Sequence, residues 1–235
     1  MFSSSGVEHE GARPKAEQGS GPMGLIRGGP PEKLVEELRS RFGLTTFIET
    51  GTYEGATTEW AAARFERVVT IELADALHGA AAQRLQRLPN VEAKHGDSRS
   101  VLAELVPTLD GPALFWLDAH WSGGQTAGSD NPCALSGELA ALRQSPHRHY
   151  VLIDDARLFL SPPPLPHPPD AWPRMRDVEA ALRELGVGPS RVVEDVIVAV
   201  PPGAARVVRA YARRVEPLRI RARRAAGRAR TRLRG

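Results

Sequence analysis

Five short apolar runs, each reaching an acid at or just past its end and each separated from the next by a helically patterned segment, constrain this chain more than any other feature. They are Phe47-Ile48-Glu49 leading into Thr50-Gly51-Thr52-Tyr53-Glu54-Gly55, then Val68-Val69-Thr70-Ile71-Glu72, Val91 to Gly96-Asp97-Ser98, Ala113 to Leu117-Asp118-Ala119-His120, and Tyr150 to Ile153-Asp154-Asp155. Ligands of open parallel sheets lie just beyond the carboxyl ends of the strands. Acids and glycines recurring there build a site for a polar ligand or a metal.

The spacing predicts helices at Pro31–Phe42, Thr57–Arg64, Ala76–Leu88, Ser100 to before Pro107, Leu135–Arg143 and Arg174–Leu185, with strands between them. Ala113 to Asp118 is apolar until its last residue, as a central parallel strand should be. Arg191–Val193 and Asp195–Val200 read as two closing strands too close for a crossover helix, hence antiparallel. This alternation predicts an α/β protein with a doubly wound, mostly parallel sheet of seven strands and an antiparallel last strand. The loop from Trp121 to Pro132 is long enough to be functional, and Ser161 to Pro169 is too proline-rich for regular structure.

Residues 1–30, rich in Gly, Ser, Pro and charge, read as a disordered leader; Met23 offers an alternative start. They lack a basic segment followed by an apolar one, so a signal peptide is not expected. No apolar stretch approaches the roughly 20 residues of a membrane span. The single cysteine, Cys133, excludes an intrachain disulfide and suits a cytoplasmic setting, and its neighbours supply no base for a nucleophile. Residues 31–200 form the predicted domain and 201–235 an Arg-rich tail. From Arg206 to Gly235 there are 12 Arg and one Glu, a charge of +11, so the rest of the chain holds −8 of the net +3. With Val207, Val208, Tyr211, Val215 and Leu218 at roughly helical spacing, the tail reads as a basic helix or a disordered arm, and in role as a solvated arm, a nucleic-acid contact or an attachment to an anionic membrane surface.

At the first strand-to-helix turn, Gly51 admits close backbone approach and Gly55 lets the next helix start near the sheet. Glu72, about twenty residues beyond Gly51, is placed to accept from ribose hydroxyls, or is simply a solvated acid. Asp97 and Ser98 offer an acceptor and a donor for adenine, or cap the following helix. Asp118, Asp154 and Asp155 would repel one another in one crevice unless a cation neutralised them, which suits Mg²⁺ or Mn²⁺; the alternative is pairing with Arg157 or solvent. His120 is a proton acceptor beside such an ion or a solvated loop histidine.

These segments resemble class I S-adenosylmethionine-dependent methyltransferases. Glu49 to Gly55 is similar to the first turn of the macrocin O-methyltransferase-like group, which includes cephalosporin-hydroxylase-type proteins, and Asp118 with Asp154-Asp155 to its magnesium triad. The Asp118-Ala119-His120-Trp121 segment also resembles that of catechol-type O-methyltransferases, with one inserted residue and without their lysine base. The resemblance implies a Rossmann-like methyltransferase fold and S-adenosylmethionine bound by Glu49, Gly51, Tyr53, Gly55, Glu72, Asp97 and Ser98. It further implies Mg²⁺ on Asp118, Asp154 and Asp155, catalysis by His120 and Asp118, and a hydroxylated small-molecule acceptor such as a sugar. The competing readings are a methyltransferase that binds nucleic acid through its basic tail, and a non-catalytic binding protein of the same fold.

Overall fold

The computed structural model describes residues 28–119, 133–160 and 172–216. Helix α1 (Glu32–Phe42) buries Leu34, Val35 and Leu38, the stripe read from the sequence. Gly43 ends it in the left-handed conformation, φ 63°, where its N–H reaches the Arg39 carbonyl. There follow β1 (Thr46–Thr50), α2 (Ala56–Ala62), β2 (Arg67–Glu72), α3 (Asp75–Leu85), β3 (Val91–His95), α4 (Ser98–Leu105) and β4 (Leu114–Leu117). Then come α5 (Leu135–Leu142), β5 (Tyr150–Ile153), α6 (Ala156–Leu160), α7 (Met175–Glu184), β6 (Arg191–Val193), β7 (Val196–Ala199) and α8 (Ala205–Val215). The short helix α6 lies in a stretch for which the sequence predicts no element, because five residues are too few to display a helical period.

The seven strands form one sheet in the order β3-β2-β1-β4-β5-β7-β6. The pairs β1–β2, β1–β4, β2–β3 and β4–β5 are parallel, so the carboxyl ends of the first five strands share one edge. β7 runs antiparallel to both neighbours, as the short β6–β7 connection requires. Interior β4 is buried at every residue, whereas edge strand β3 has no fully buried residue and carries charge, Lys94 pairing with Glu92 at 2.6 Å. Charge on an edge strand discourages pairing with another chain.

Alternation along the strands builds two cores. Phe47, Leu114, Trp116, Leu152 and Val198 face the layer of α1 and α8, where Leu34, Leu38, Val207, Val208 and Tyr211 meet them. Ile48, Phe115, Leu117, Val151, Ile153 and Ile197 face Leu102, Leu139, Leu142, Val178 and Leu182 on α4, α5 and α7. The packed body therefore continues beyond residue 200. Tyr211 donates to Glu194 at 2.8 Å, and Arg214 bonds Glu37 of α1 at 2.5 Å. The stretch expected to open the basic tail is, as far as Val215, a helix seated on the domain; residues 217–235 lie outside the described ones.

His149, just before β5, is buried with its Nδ1 accepting from the Ala113 N–H at 3.1 Å and its ring edge-on to Phe115. Burial, with His147 nearby, lowers its pKa to about 4 from an ordinary 6.5. Its folded pKa is depressed, so its stabilising contribution is complete above the unfolded value and is lost as pH falls toward about 4. Urea denaturation at a series of pH values should show a loss of about 3 kcal/mol across that window. His149→Asn, whose amide oxygen replaces the Nδ1 acceptor, should flatten it.

Candidate active site

The strand order reverses between β1 and β4. The chain leaves β1 toward β2 and β3 on one side and returns to β4 and β5 on the other. Such a switch point opens a crevice at the carboxyl edge. Gly51 lies in it with φ 82°, and a Cβ there would stand 2.7 Å from the Asp118 carbonyl oxygen. Glycine is thus required both by backbone conformation and by the neighbouring strand. Its N–H is committed to the Ile71 carbonyl at 2.9 Å, and the Asp118 N–H to the Thr50 carbonyl at 3.1 Å. Gly55, φ 79°, starts α2 in contact range of Leu85, while Tyr53, φ 49°, leaves its ring over half exposed at 55%.

Glu49 and Glu72 lie two residues apart in register on neighbouring strands, but the fold treats them differently. Glu49 is 1% exposed; its Oε2 accepts from Thr70 at 2.7 Å and from Thr58 of α2. Thr52 closes the node by bonding Thr70 at 2.6 Å. Burial outweighs these hydroxyls and raises the Glu49 pKa to about 7. Glu72 accepts the Tyr53 N–H on Oε2 and the Ala74 N–H on Oε1, each at 2.9 Å. It therefore ties the first turn to the second. Each carboxylate oxygen carries two acceptor sites, so capacity for two ligand hydroxyls remains.

Asp97 does cap α4, accepting the Arg99 N–H at 2.9 Å, and Ser98 is buried as the helix's first residue. The Arg99 guanidinium also grips the Asp97 carboxylate and holds its pKa below the ordinary range. The helix-start alternative for Asp97 is thus realised.

At the other wall stand Asp118, Asp154 and Asp155. Burial first, then the charges of Asp154, Asp155, Glu49 and Glu138, hold the Asp118 carboxyl well above the usual carboxylate range. Asp154 is buried and its Oδ1 accepts the Asp155 N–H at 2.7 Å. Asp155, at φ 53°, pairs with Arg157 at 2.5 Å, and the same guanidinium reaches buried Asp195 behind it. The carboxyls expected to gather do interact, and Asp155 also pairs with Arg157, the alternative partner. Among the described residues no three carboxylate, histidine or cysteine side chains are arranged to hold a metal ion. His120 and the loop from Trp121 lie outside the described residues. Burial pushes the Cys133 thiol up to about 12, which removes it as a nucleophile.

Sequence reasoning missed Glu138, 1% exposed on α5, whose charge reaches both Asp118 and Arg99. Its signal was an acid on the same face as Leu135, Leu139 and Leu142. It also missed Thr58 and Thr70, because hydroxyls within apolar runs read as strand and helix filler.

The Glu49 node sets a pH dependence opposite to that of His149. With its folded pKa raised, Glu49 contributes stability fully below the unfolded value of 4.5 and loses it as pH rises through about 7. Glu49→Gln, neutral at every pH, should be more stable than the parent above pH 8 by about 3 kcal/mol and should equal it at about pH 4, as read by urea denaturation.

No protein-family model and no curated protein matches the chain. Solved structures do. An O-methyltransferase from Bacillus cereus in complex with SAH is 18% identical, over 74% of this chain and 82% of that one, with a TM-score of 0.50. An O-methyltransferase from Streptomyces achromogenes involved in tomaymycin synthesis, in complex with SAM, is 21% identical over 75% and 82%, at 0.47. An amino pentose methyltransferase from Micromonospora echinaspora is 20% identical at 0.37; there the match spans 52% of this chain and 48%, about half, of the other. The fold is the Rossmann-like one of the Bacillus cereus methyltransferase structure, with the mostly parallel seven-stranded sheet and antiparallel last strand that the sequence predicts.

Proposed function

We propose that this protein binds S-adenosylmethionine at the carboxyl edge of β1 to β3 and transfers its methyl group to an oxygen of a hydroxylated small molecule such as a sugar. The observation that carries the reading is the gathering of Glu49, Glu72, Asp118 and Asp154 at the carboxyl ends of neighbouring strands, around the β1–β4 switch point and Gly51. An acid-lined crevice is complementary to a cofactor that bears a sulfonium and an ammonium. The Bacillus cereus structure, of the same fold, carries SAH. Glu72 would receive the ribose hydroxyls on its remaining lone pairs. Asp97 and Ser98 would face the adenine, Tyr53 and Gly55 would shape the turn beneath the cofactor, and Glu49 would set the negative potential behind it.

The cofactor supplies a methyl group activated on sulfur. The new oxygen–carbon bond forms as the sulfur–carbon bond breaks, sulfur leaves as a neutral thioether, and the hydroxyl proton needs an acceptor. A carboxylate whose pKa is raised is a better base than an ordinary one. Asp118, raised by burial and its acidic neighbours, fits that role, with His120 as a second candidate two residues on. Asp155 is paired with Arg157 and no three carboxylate, histidine or cysteine side chains among the described residues are arranged to hold the magnesium expected from the resemblance, so no step is routed through a metal.

Calorimetry with S-adenosylhomocysteine should give saturable binding to the wild-type chain. Glu72→Gln should weaken it about tenfold, or 1.4 kcal/mol, with little change in melting temperature. A folded wild-type protein that binds none would end this reading. In a methyl-transfer assay over hydroxylated acceptors, Asp118→Asn should lower turnover by about 10²–10⁴ while leaving cofactor affinity within a few-fold. EDTA should leave turnover unchanged; a loss restored by Mg²⁺ would return Asp155 to a ligand set.

A further inference from the structure

Asp97, just beyond β3, is held more firmly than the capping of α4 requires. Its Oδ1 accepts the Arg99 N–H at 2.9 Å, which by itself caps the helix. The Arg99 side chain then folds back onto the same carboxylate. Its Nε lies 2.9 Å from Oδ1 and 3.1 Å from Oδ2, and its Nη2 bonds Oδ2. Arg99 is confined in turn by α5. Its stem crosses that helix at Gly137, where a Cβ would stand 2.6 Å from Cδ and 2.7 Å from Cγ. Gly137 is not in the left-handed conformation, and alanine is the better helix former. The close passage of Arg99 is therefore what calls for glycine there. Buried Glu138, the next residue of α5, sets a second negative charge near the guanidinium.

We propose that Arg99, seated on Gly137, is a positioning residue that makes the site selective for a 6-amino purine by locking the Asp97 carboxylate against rotation. The inference rests on the proposed placement of the cofactor's adenine at Asp97. A carboxylate offers about four lone-pair sites. Three donors of Arg99, its backbone N–H, Nε–H and Nη2–H, take three of them. The site that remains is on Oδ2 and accepts one amine N–H. A 6-oxo purine instead sets its own acceptor against that oxygen. A free carboxylate would turn from the clash toward the ring N–H that such a base carries. One gripped at both oxygens cannot turn, so the mismatch keeps its full cost. The same grip holds the Asp97 pKa below the ordinary range, so the carboxylate acts as an acceptor only.

The test is calorimetry of the full chain with S-adenosylhomocysteine and with S-inosylhomocysteine, its 6-oxo counterpart. The wild type should favour the adenine compound by about thirtyfold or more. Arg99→Met keeps the stem over α5 and removes the fork, while Gly137→Ala pushes the stem away. Each should cut the preference to about threefold or less, with a melting temperature close to the parent's. Arg99→Lys, which restores the charge but not the fork, should fall between. A merely structural role would weaken both compounds alike and leave their ratio unchanged, and that result would overturn the proposal. So would a wild type that binds the two compounds equally. Either outcome leaves the cofactor reading standing, whereas a folded wild type that binds neither compound ends both.

Discussion

The tips of β1 and β4 approach so closely at Gly51 that a Cβ would stand 2.7 Å from the Asp118 carbonyl oxygen. The crevice depends on this contact. The two strands flank the point where the sheet order reverses, and the residue between them must have no side chain and a positive φ. That conformation sends the chain over the end of β2, where Glu72 collects the Tyr53 N–H and the Ala74 N–H. One glycine and one carboxylate thereby position two consecutive strand-to-helix turns, and the acids of the other strands become the walls.

Crowding acids at one edge raises a common electrostatic problem, solved here in several ways. Glu49 is met by two threonine hydroxyls that favour its charged form, while burial raises its pKa to about 7. Glu72 is met by backbone N–H groups. Asp97 and Asp155 each recruit an arginine two residues ahead, and Arg157 extends from Asp155 to buried Asp195. Asp118 has the largest accumulation of like charge around it and so the raised pKa. These environments separate groups of one residue type into structural, binding and proton-accepting roles, since burial and neighbours set a carboxyl's chemistry more than its identity does.

The strands were legible at nearly residue precision. Arg191–Val193 occupies the predicted range, β2 extends the run read from Val68 by one residue to Arg67, and β3 starts at the predicted Val91 and stops before Gly96, because charge or glycine bounds each run. Helix ends were less legible: α3 stops at Leu85, short of the predicted Leu88, since Pro and Asn mark where a helix cannot continue but not where it frays. The Arg99 and Arg157 pairings were written in the sequence as a repeated Asp-x-Arg at strand ends. Arg157 was weighed only as an alternative to a metal because two residues of separation permit several geometries. The seating of α8 was signalled by Val207, Val208 and Tyr211 at helical spacing, yet the density of arginine around them fits an arm equally well.

The sequence by itself determined the seven strands, the helices other than α6 and α8, and that acids gather at one edge of a mostly parallel sheet, because side-chain periodicity and turn chemistry act over a few residues. Only the tertiary structure decided which acid is buried, which meets an arginine and which faces the switch point. Those outcomes depend on distances between residues far apart in the chain, such as Gly51 to Asp118 and Glu49 to Thr70, and on how much water the surrounding strands exclude.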